Sequence, residues 1–424
     1  MRSVITTIDT PCTACMLPNG MQVLVECVPY VRSVSAGLWI RTGSASEHPA
    51  QAGISHFLEH LFFKGTTTRP ARQLMEEIEG RGGQLNSYTS RDYICLYAHA
   101  LDVHIGSAIE ILADILNNSQ FFDFEKERNV VLEEIASAED IPEDYAHDLL
   151  LHHLWPDHPL GNPVSGFRET VERITMEGVQ DHYHQWCRPA NILLSIAGNV
   201  SEETILEHVR EKFDDVSLGT VPEPYTMPKP RFGVRAAERD IAQVHFCAGF
   251  PGPAMTDNER YACELLTSAL GGGAMSRLFD RIREQEGLVY AIYSFRAAYH
   301  RAGVVGIYGA MAPENLSRTF QLTREEIQKL CESLMPEAEL ASNAEQIKGN
   351  LLMGLESTYN RMARNAKSMI YFGRIIPIEE IVAGIDSVTP GDILRSAQTV
   401  FQPGRYAMAI LGPQGAPDIE VMPL

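Results

Sequence analysis

The sequence predicts an α+β fold built as two tandem copies of one unit. Three observations carry this. Segments alternating apolar and polar residues are interleaved with segments of helical spacing in both halves of the chain. A proline-dense stretch over 218–232 separates the halves. The order of elements before that stretch recurs after it. The 424 residues suffice for two or three domains at about 150 residues each. Apolar residues at 45% and charged residues at 21% are ordinary globular usage, which excludes a disordered or collagen-like chain.

In the first half, 21–28 and 33–41 alternate as half-buried strands do. Helical spacing follows over 53–65 and 70–81, with Pro70 suited to a first turn and Gly80, Gly82 and Gly83 closing the second helix. Strands are expected near 84–90 and 93–100, separated by the polar pair Arg91-Asp92. Long helices are expected over 102–118 and 123–155, then a helix near 168–186. The strand ILLSIAG (192–198) and a helix from Glu202 to Phe213 complete the unit.

Pro222, Pro224, Pro228 and Pro230 forbid a helix and favour an extended, semi-rigid connector. The expected organisation is therefore a first domain over 1–217, a linker over 218–236 and a second domain over 237–424. In the second domain a strand at 240–249 leads to an amphipathic helix near 258–270. A further helix carries LFDRI (278–282), Gly287 follows, and strands are expected near 288–297 and 302–310. Helices cover most of the chain to about 400, before a last strand in RYAMAILG (405–412). LMEEI (74–78), the glycines after it and two strands match LFDRI, Gly287 and two strands in order.

Lys and Arg total 35 against 55 Asp and Glu, a formal net charge of −20. That field repels phosphate backbones and favours cationic ligands, so nucleic acid is not an expected partner. No apolar run approaches the ~18 residues of a membrane span, and MRSVITTIDTPCTAC has no apolar signal core, so a cytoplasmic protein is expected. Eight cysteines in so long a chain do not make a disulfide scaffold. Cys12 and Cys15 form a C-x-x-C without a second pair at zinc-ribbon distance, and read as two thiols beside the first strand.

Residues 56–60 read His-Phe-Leu-Glu-His. His56 and His60 are four apart, so a helix places them on one face, one turn from each other. Two imidazoles at that spacing can hold one zinc ion, with Glu59 in reach of a water on the metal. The pattern is H-x-x-E-H, the inverted form of the H-E-x-x-H zinc motif. The bland reading is two histidines on a surface helix. Zinc catalysis needs a third protein ligand and an open position. The segment from Glu125 to Glu134 offers several carboxylates, of which Glu127 and Glu134 lie seven apart on one helix face. Taken alone, such an acidic helix reads as a solvated face.

These residues bring out a resemblance. GISHFLEHLFFKGT (53–66), GGQLNSYTSRDY (82–93), ERNVVLEEI (127–135), HPLGNPVSG (158–166) and LGGGAMSRLFDRIREQEGLVYAIYS (270–294) resemble motifs of the M16 metallopeptidases, the pitrilysin group. The likeness is to the M16B branch, which holds the mitochondrial processing peptidase and its bacterial relatives, and it spans nearly the whole chain. It implies two tandem homologous domains, each an antiparallel sheet covered by helices. It implies His56, His60 and Glu134 as ligands of one Zn²⁺ per chain, Glu134 falling 74 positions after His60 as in the family. Glu59 would be the general base, taking a proton from zinc-polarised water and returning it to the leaving amine. Glu127 matches a glutamate that orients the site. Asn86, with Ser87 beside it, matches the strand that receives the substrate backbone by β-addition. Arg283 and Tyr290 match a pair supplied by the second domain, Tyr290 donating to the developing oxyanion and Arg283 holding a neighbouring carbonyl. Without the resemblance, those two read as a surface arginine and a core tyrosine.

The expected function is zinc-dependent endopeptidase activity on unfolded peptides or N-terminal targeting-like segments. The charge favours basic peptides as substrates, and the missing presequence favours a bacterial cytoplasm. The resemblance also implies a homodimer, since a closed chamber in this family needs four units and one chain supplies two. The competing readings are a non-catalytic scaffold and one half of a heterodimer. For two further features the structural reading outweighs the functional one, although the resemblance leaves a small substrate-binding role open for the first. Gly271-Gly272-Gly273 lacks the Gly-Lys-Ser/Thr of a P-loop and reads as a helix end. The cluster of His147, His152, His153, Asp157 and His158 fits no single helix face as a second metal site.

Overall fold

A computed structural model describes residues 11–213 and 225–413. The elements begin with β1 (Cys12–Met16), β2 (Gln22–Cys27), β3 (Ser33–Ile40), α1 (Ile54–Phe62), α2 (Ala71–Glu79), β4 (Gln84–Thr89) and β5 (Ile94–Leu101). There follow α3 (Ile105–Asn118), α4 (Phe124–Asp140), α5 (Pro142–Leu154), α6 (Arg168–Val171), α7 (Met176–Trp186), β6 (Ile192–Gly198) and α8 (Glu202–Phe213). Next come β7 (Gly233–Glu238), β8 (Val244–Gly252), α9 (Arg260–Gly271), a π-helical segment (Phe279–Gln285), β9 (Val289–Ala298) and β10 (Gly303–Met311). The rest is α10 (Leu316–Glu332), α11 (Glu337–Gly354), α12 (Thr358–Phe372), α13 (Ile378–Asp386), α14 (Pro390–Val400) and β11 (Ala407–Gly412).

The strands form two sheets, in the orders β1-β2-β6-β3-β5-β4 and β7-β11-β8-β10-β9. Leaving out β1, both sheets follow the same path, which is the repeat that the order of elements predicts. In each, the opening strand of that path pairs in parallel with the last (β2 with β6, β7 with β11), and the other neighbours are antiparallel. The fold is thus α+β with mainly antiparallel sheets.

Two compact units contain these sheets: 11–135, 163–213 and 351–378 form the first, and 136–162, 225–350 and 379–413 the second. The first includes α12 from late in the chain, and the second includes α5 from early in it. In the first, Ile54, Phe57, Leu61, Ile109, Leu112 and Val209 fill a core between one sheet face and the helices around α1 and α3. The other face carries Leu24, Trp39, Cys95 and Leu193, which pack against Met362, Ala363 and Ala366 of α12. Gly37 permits that approach, since a Cβ there would stand 2.9 Å from Met362 Sδ. Polar contacts fix the helix as well. The buried Arg361 pairs with the buried Glu26 at 2.5 Å, and Asn365 Nδ2 donates to the other carboxylate oxygen at 2.6 Å. In the second unit α5 lies on β8 and β11, with Leu149, Leu150 and Leu154 buried.

Some boundaries differ from the expectation. The helix expected over 123–155 is two, α4 and α5, because Pro142 has no amide to continue the first and suits the opening turn of the second. The helix expected near 168–186 is also two; Thr175 accepts from the amide of Gly178 and starts α7 afresh. LFDRI enters a π-helical segment rather than an α-helix. The expected strand at 240–249 begins only at Val244, and β7 forms within and just beyond the expected extended connector. Residues 218–224 of that connector lie outside the described residues.

Candidate metal centre

The site is built on α1, and the start of that helix is tightly specified. Gly53 precedes it at φ 94°, a left-handed conformation that favours glycine, and a Cβ there would come within 2.4 Å of the Ser165 carbonyl oxygen. The buried Glu47 accepts from the amides of Gly53 and Ser55 at 2.8 and 2.7 Å, filling two places left open at the helix N-terminus. Burial nonetheless pushes its carboxyl up to about 7, with those bonds acting in the opposite direction. Ile54, Phe57, Leu58, Leu61 and Phe62 are buried, so α1 is a core helix and not a surface one.

The four-residue spacing places the rings of His56 and His60 4.7 Å apart on one face. Glu134, from α4, brings Oε2 within 3.3 Å of His60 Nε2 and 3.7 Å of His56 Nε2. One donor atom from each of the three residues lies within 4.8 Å of the others. Donors about 2.1 Å from one tetrahedral ion stand about 3.4 Å apart, so the set fits a zinc ion. Burial, then the neighbouring His60, lower the pKa of His56 to about 4 against the pull of Glu134, leaving the neutral imidazole that a metal requires. The ring of Phe57 packs on that of Phe124 at 5.0 Å and ties α1 to the start of α4.

Glu127, one of the most buried carboxylates, stands behind His60. Its Oε2 is 3.4 Å from His60 Nδ1, and its Oε1 is 2.9 Å from Lys64 Nζ. A proton on Nδ1, donated to Glu127, leaves the Nε2 lone pair directed at the cluster. Glu59 is 8% exposed. It accepts from Ser87 Oγ at 2.5 Å and from Thr89 Oγ1 at 2.6 Å. Asn86 is exposed on β4, at the edge of its sheet, and its Oδ1 accepts from the Ser87 amide at 2.8 Å.

His56, Glu59, His60, Ser87, Glu127 and Glu134 are therefore brought together within the first unit, with Asn86 on the adjoining strand. Arg283 and Tyr290 belong to the second unit. Arg283 lies in the π-helical segment with its guanidinium 4.7 Å from the centre of the Phe279 ring. Tyr290 is 75% exposed near the start of β9, an edge strand, so it is not the core tyrosine that its residue type alone suggests. Two participants escape the motif reading: Thr89, signalled only by its period-two relation to Ser87, and Lys64, signalled by its four-residue offset from His60. The histidines set aside as a second metal site are engaged otherwise; His147 Nε2 lies 2.9 Å from Tyr293 Oη, and His158 Nδ1 accepts from the Leu160 amide. Among the described residues no helix is long and apolar enough to cross a membrane.

Residues 22–167 match the family described as insulinase (peptidase family M16), and 173–347 match the peptidase M16 inactive domain. A Bacillus subtilis protein named an uncharacterized zinc protease is 36% identical over 401 residues, covering 94% of this chain and 97% of that protein. One of the same description from Streptomyces coelicolor is 36% identical over 409 residues, covering 94% and 88%. Among solved structures, a protease from Helicobacter pylori superimposes with a TM-score of 0.91 at 20% identity, covering 95% of this chain and all of that one. A peptidase M16 inactive domain from Pseudomonas fluorescens gives 0.88 at 16% identity, covering 96% and 98%. At those identities the structural likeness shows the fold alone.

Proposed function

This chain belongs to the M16 peptidase family, and on that premise we propose that it is a zinc-dependent endopeptidase of the M16B type. Its substrates are unfolded peptides or N-terminal targeting-like segments. The observation that supports this reading most is the meeting of His56, His60 and Glu134 beside a nearly buried Glu59. His56, His60 and Glu134 would hold one zinc ion per chain, which when bound supplies a Lewis acid that acidifies water and polarises a carbonyl. Glu127 fixes the ring of His60. Glu59 takes a proton from the attacking water and passes it to the leaving amine. The peptide adds as a strand along the edge of β4, beside Asn86 and Ser87. Tyr290 donates to the oxygen on which negative charge develops and Arg283 holds a neighbouring carbonyl. The protein works as a homodimer in a bacterial cytoplasm, and its charge of −20 draws basic peptides.

The match of the second half to an inactive-domain family is consistent with either this reading or one alternative, a non-catalytic or heterodimeric subunit that binds without cutting. Metal analysis with a peptide panel separates the two. The expected result is one zinc per chain, cleavage that stops in chelator and returns with zinc, and a higher kcat/KM for basic than for matched acidic peptides at low salt, narrowing at high salt. Protein that carries zinc and cuts nothing supports the alternative. Glu59→Gln is expected to keep its zinc and lose about 10²–10⁴-fold in rate; near-normal turnover would assign the base elsewhere.

A further inference from the structure

We infer that Ser87 and Thr89 are positioning residues that aim the general base, and that through them the peptide-binding edge of β4 sets where that base stands relative to the peptide. This rests on the reading of Glu59 as the base. Both of its carboxylate oxygens are engaged, Oε1 by Ser87 Oγ at 2.5 Å and Oε2 by Thr89 Oγ1 at 2.6 Å. The terminal torsion of a glutamate is otherwise broad, and two short hydrogen bonds, one to each carboxylate oxygen, fix it.

The strand geometry gives these two residues a second task. Ser87 and Thr89 are two apart, so their side chains share the face of β4 that carries the buried Leu85 and meets α1. Tyr88, on the opposite face, packs edge-on against Trp39. The hairpin between β4 and β5 is closed by the Ser90 amide donating to the Tyr93 carbonyl at 2.8 Å, and the register continues from there as Thr89 with Ile94 and Ser87 with Leu96. In an antiparallel ladder, hydrogen-bonded and non-hydrogen-bonded positions alternate. Counting back from Ser90, the N–H and C=O groups of Ser87 and Thr89 therefore point away from β5. The Ser87 amide, bonded to Asn86 Oδ1 at 2.8 Å, agrees with that count. The free side of β4 is the sheet edge. The residues whose main chains would pair with an added peptide are thus those whose hydroxyls hold Glu59. A peptide in register with them has its backbone placed relative to the base whatever its side chains are.

The test uses full-length, zinc-loaded protein and an unstructured peptide that the wild type cleaves. Ser87→Ala combined with Thr89→Val is expected to lower kcat about 10²-fold, with KM within about twofold and zinc still bound at one per chain. Thr89→Ser, which keeps the hydroxyl, is expected to recover most of the loss seen with Thr89→Val. In a Glu59→Gln background the same pair should lower the residual rate by less than about twofold, because no base remains to be aimed. Unchanged kcat in an active enzyme, or an equal loss with and without Glu59, overturns the inference while leaving the function reading in place. Zinc-loaded wild type that cleaves no peptide removes the function reading and this inference with it.

Discussion

Lys64 stands four residues beyond His60, and its ammonium lies 2.9 Å from Glu127 Oε1 while the other oxygen of that carboxylate faces His60 Nδ1. Glu127 is 2% exposed, so without the lysine its charge would sit in the protein with no cation beside it. Partners of this kind set the orientation and basicity of a metal-binding imidazole. Lys64→Met, which keeps the apolar stem, is therefore expected to weaken zinc binding about 10–100-fold, read by competition with a chromophoric chelator. Unchanged affinity would make the ion pair a matter of packing alone. At this scale the sequence is legible where chemistry follows a local period. His56, Glu59 and His60 can be read from spacing on one helix. Glu134 cannot, since its acidic helix looks like any solvated face until the family pattern singles it out. Lys64 and Thr89 have the right spacing from His60 and Ser87, but the ion pair and the hydrogen bond that give them their place reach across elements, which spacing alone does not encode.

Among the elements, the start of α1 couples the fold to the site. Glu47 caps that helix from a buried position, with its carboxyl raised from 4.5 to about 7 by desolvation. The folded chain therefore keeps this proton up to about pH 7, whereas the unfolded chain releases it near the ordinary carboxylate value. Across that window the folded state binds more protons, so this group's contribution to stability is full at the acid end and declines as pH rises. Glu47→Gln removes the titration. From pH 5 to pH 8 the stability of wild type relative to that variant should fall by about 2–3 kcal/mol, measured by urea unfolding at saturating zinc. A pH-independent difference would show that the carboxyl is ionised throughout. The order of elements, and with it the repeat, is legible because alternation and helical spacing are local signals. Less legible are the exchanges. Apolar spacing in 142–154 and 358–372 marks a helix face without naming the sheet it covers. Contacts distant in sequence, such as the fit of Met362 over Gly37 and the meeting of Arg361 and Asn365 with Glu26, select the partner of α12. The break at Pro142 shows the same limit, since helical periodicity on both sides hides a proline that is as acceptable in a first turn as it is disruptive in an interior.

At the scale of the whole molecule, the division of labour between the units becomes a question of assembly. The proposed zinc ligands and base lie in the first unit, and Arg283 and Tyr290 in the second. The family resemblance implies a closed chamber of four units, of which each chain would supply two. In the proposed homodimer the zinc site of one chain works with the partner's Arg283 and the partner's Tyr290, so a two-fold dimer holds two composite sites, each drawing on both subunits. Glu59→Ala and Arg283→Ala should each be inactive as pure homodimers. Mixed in equal amounts with free exchange, about half of the dimers pair one variant with the other. Each such heterodimer has one site with both residues intact and one site lacking both. Activity should then return to about a quarter of the wild-type value. Were base and arginine drawn from the same chain, no mixed dimer would contain an intact site. A mixture that stays inactive although a fluorescent label shows subunits exchanging would refute the shared site, and recovery without any detectable dimer would refute the assembly on which it depends.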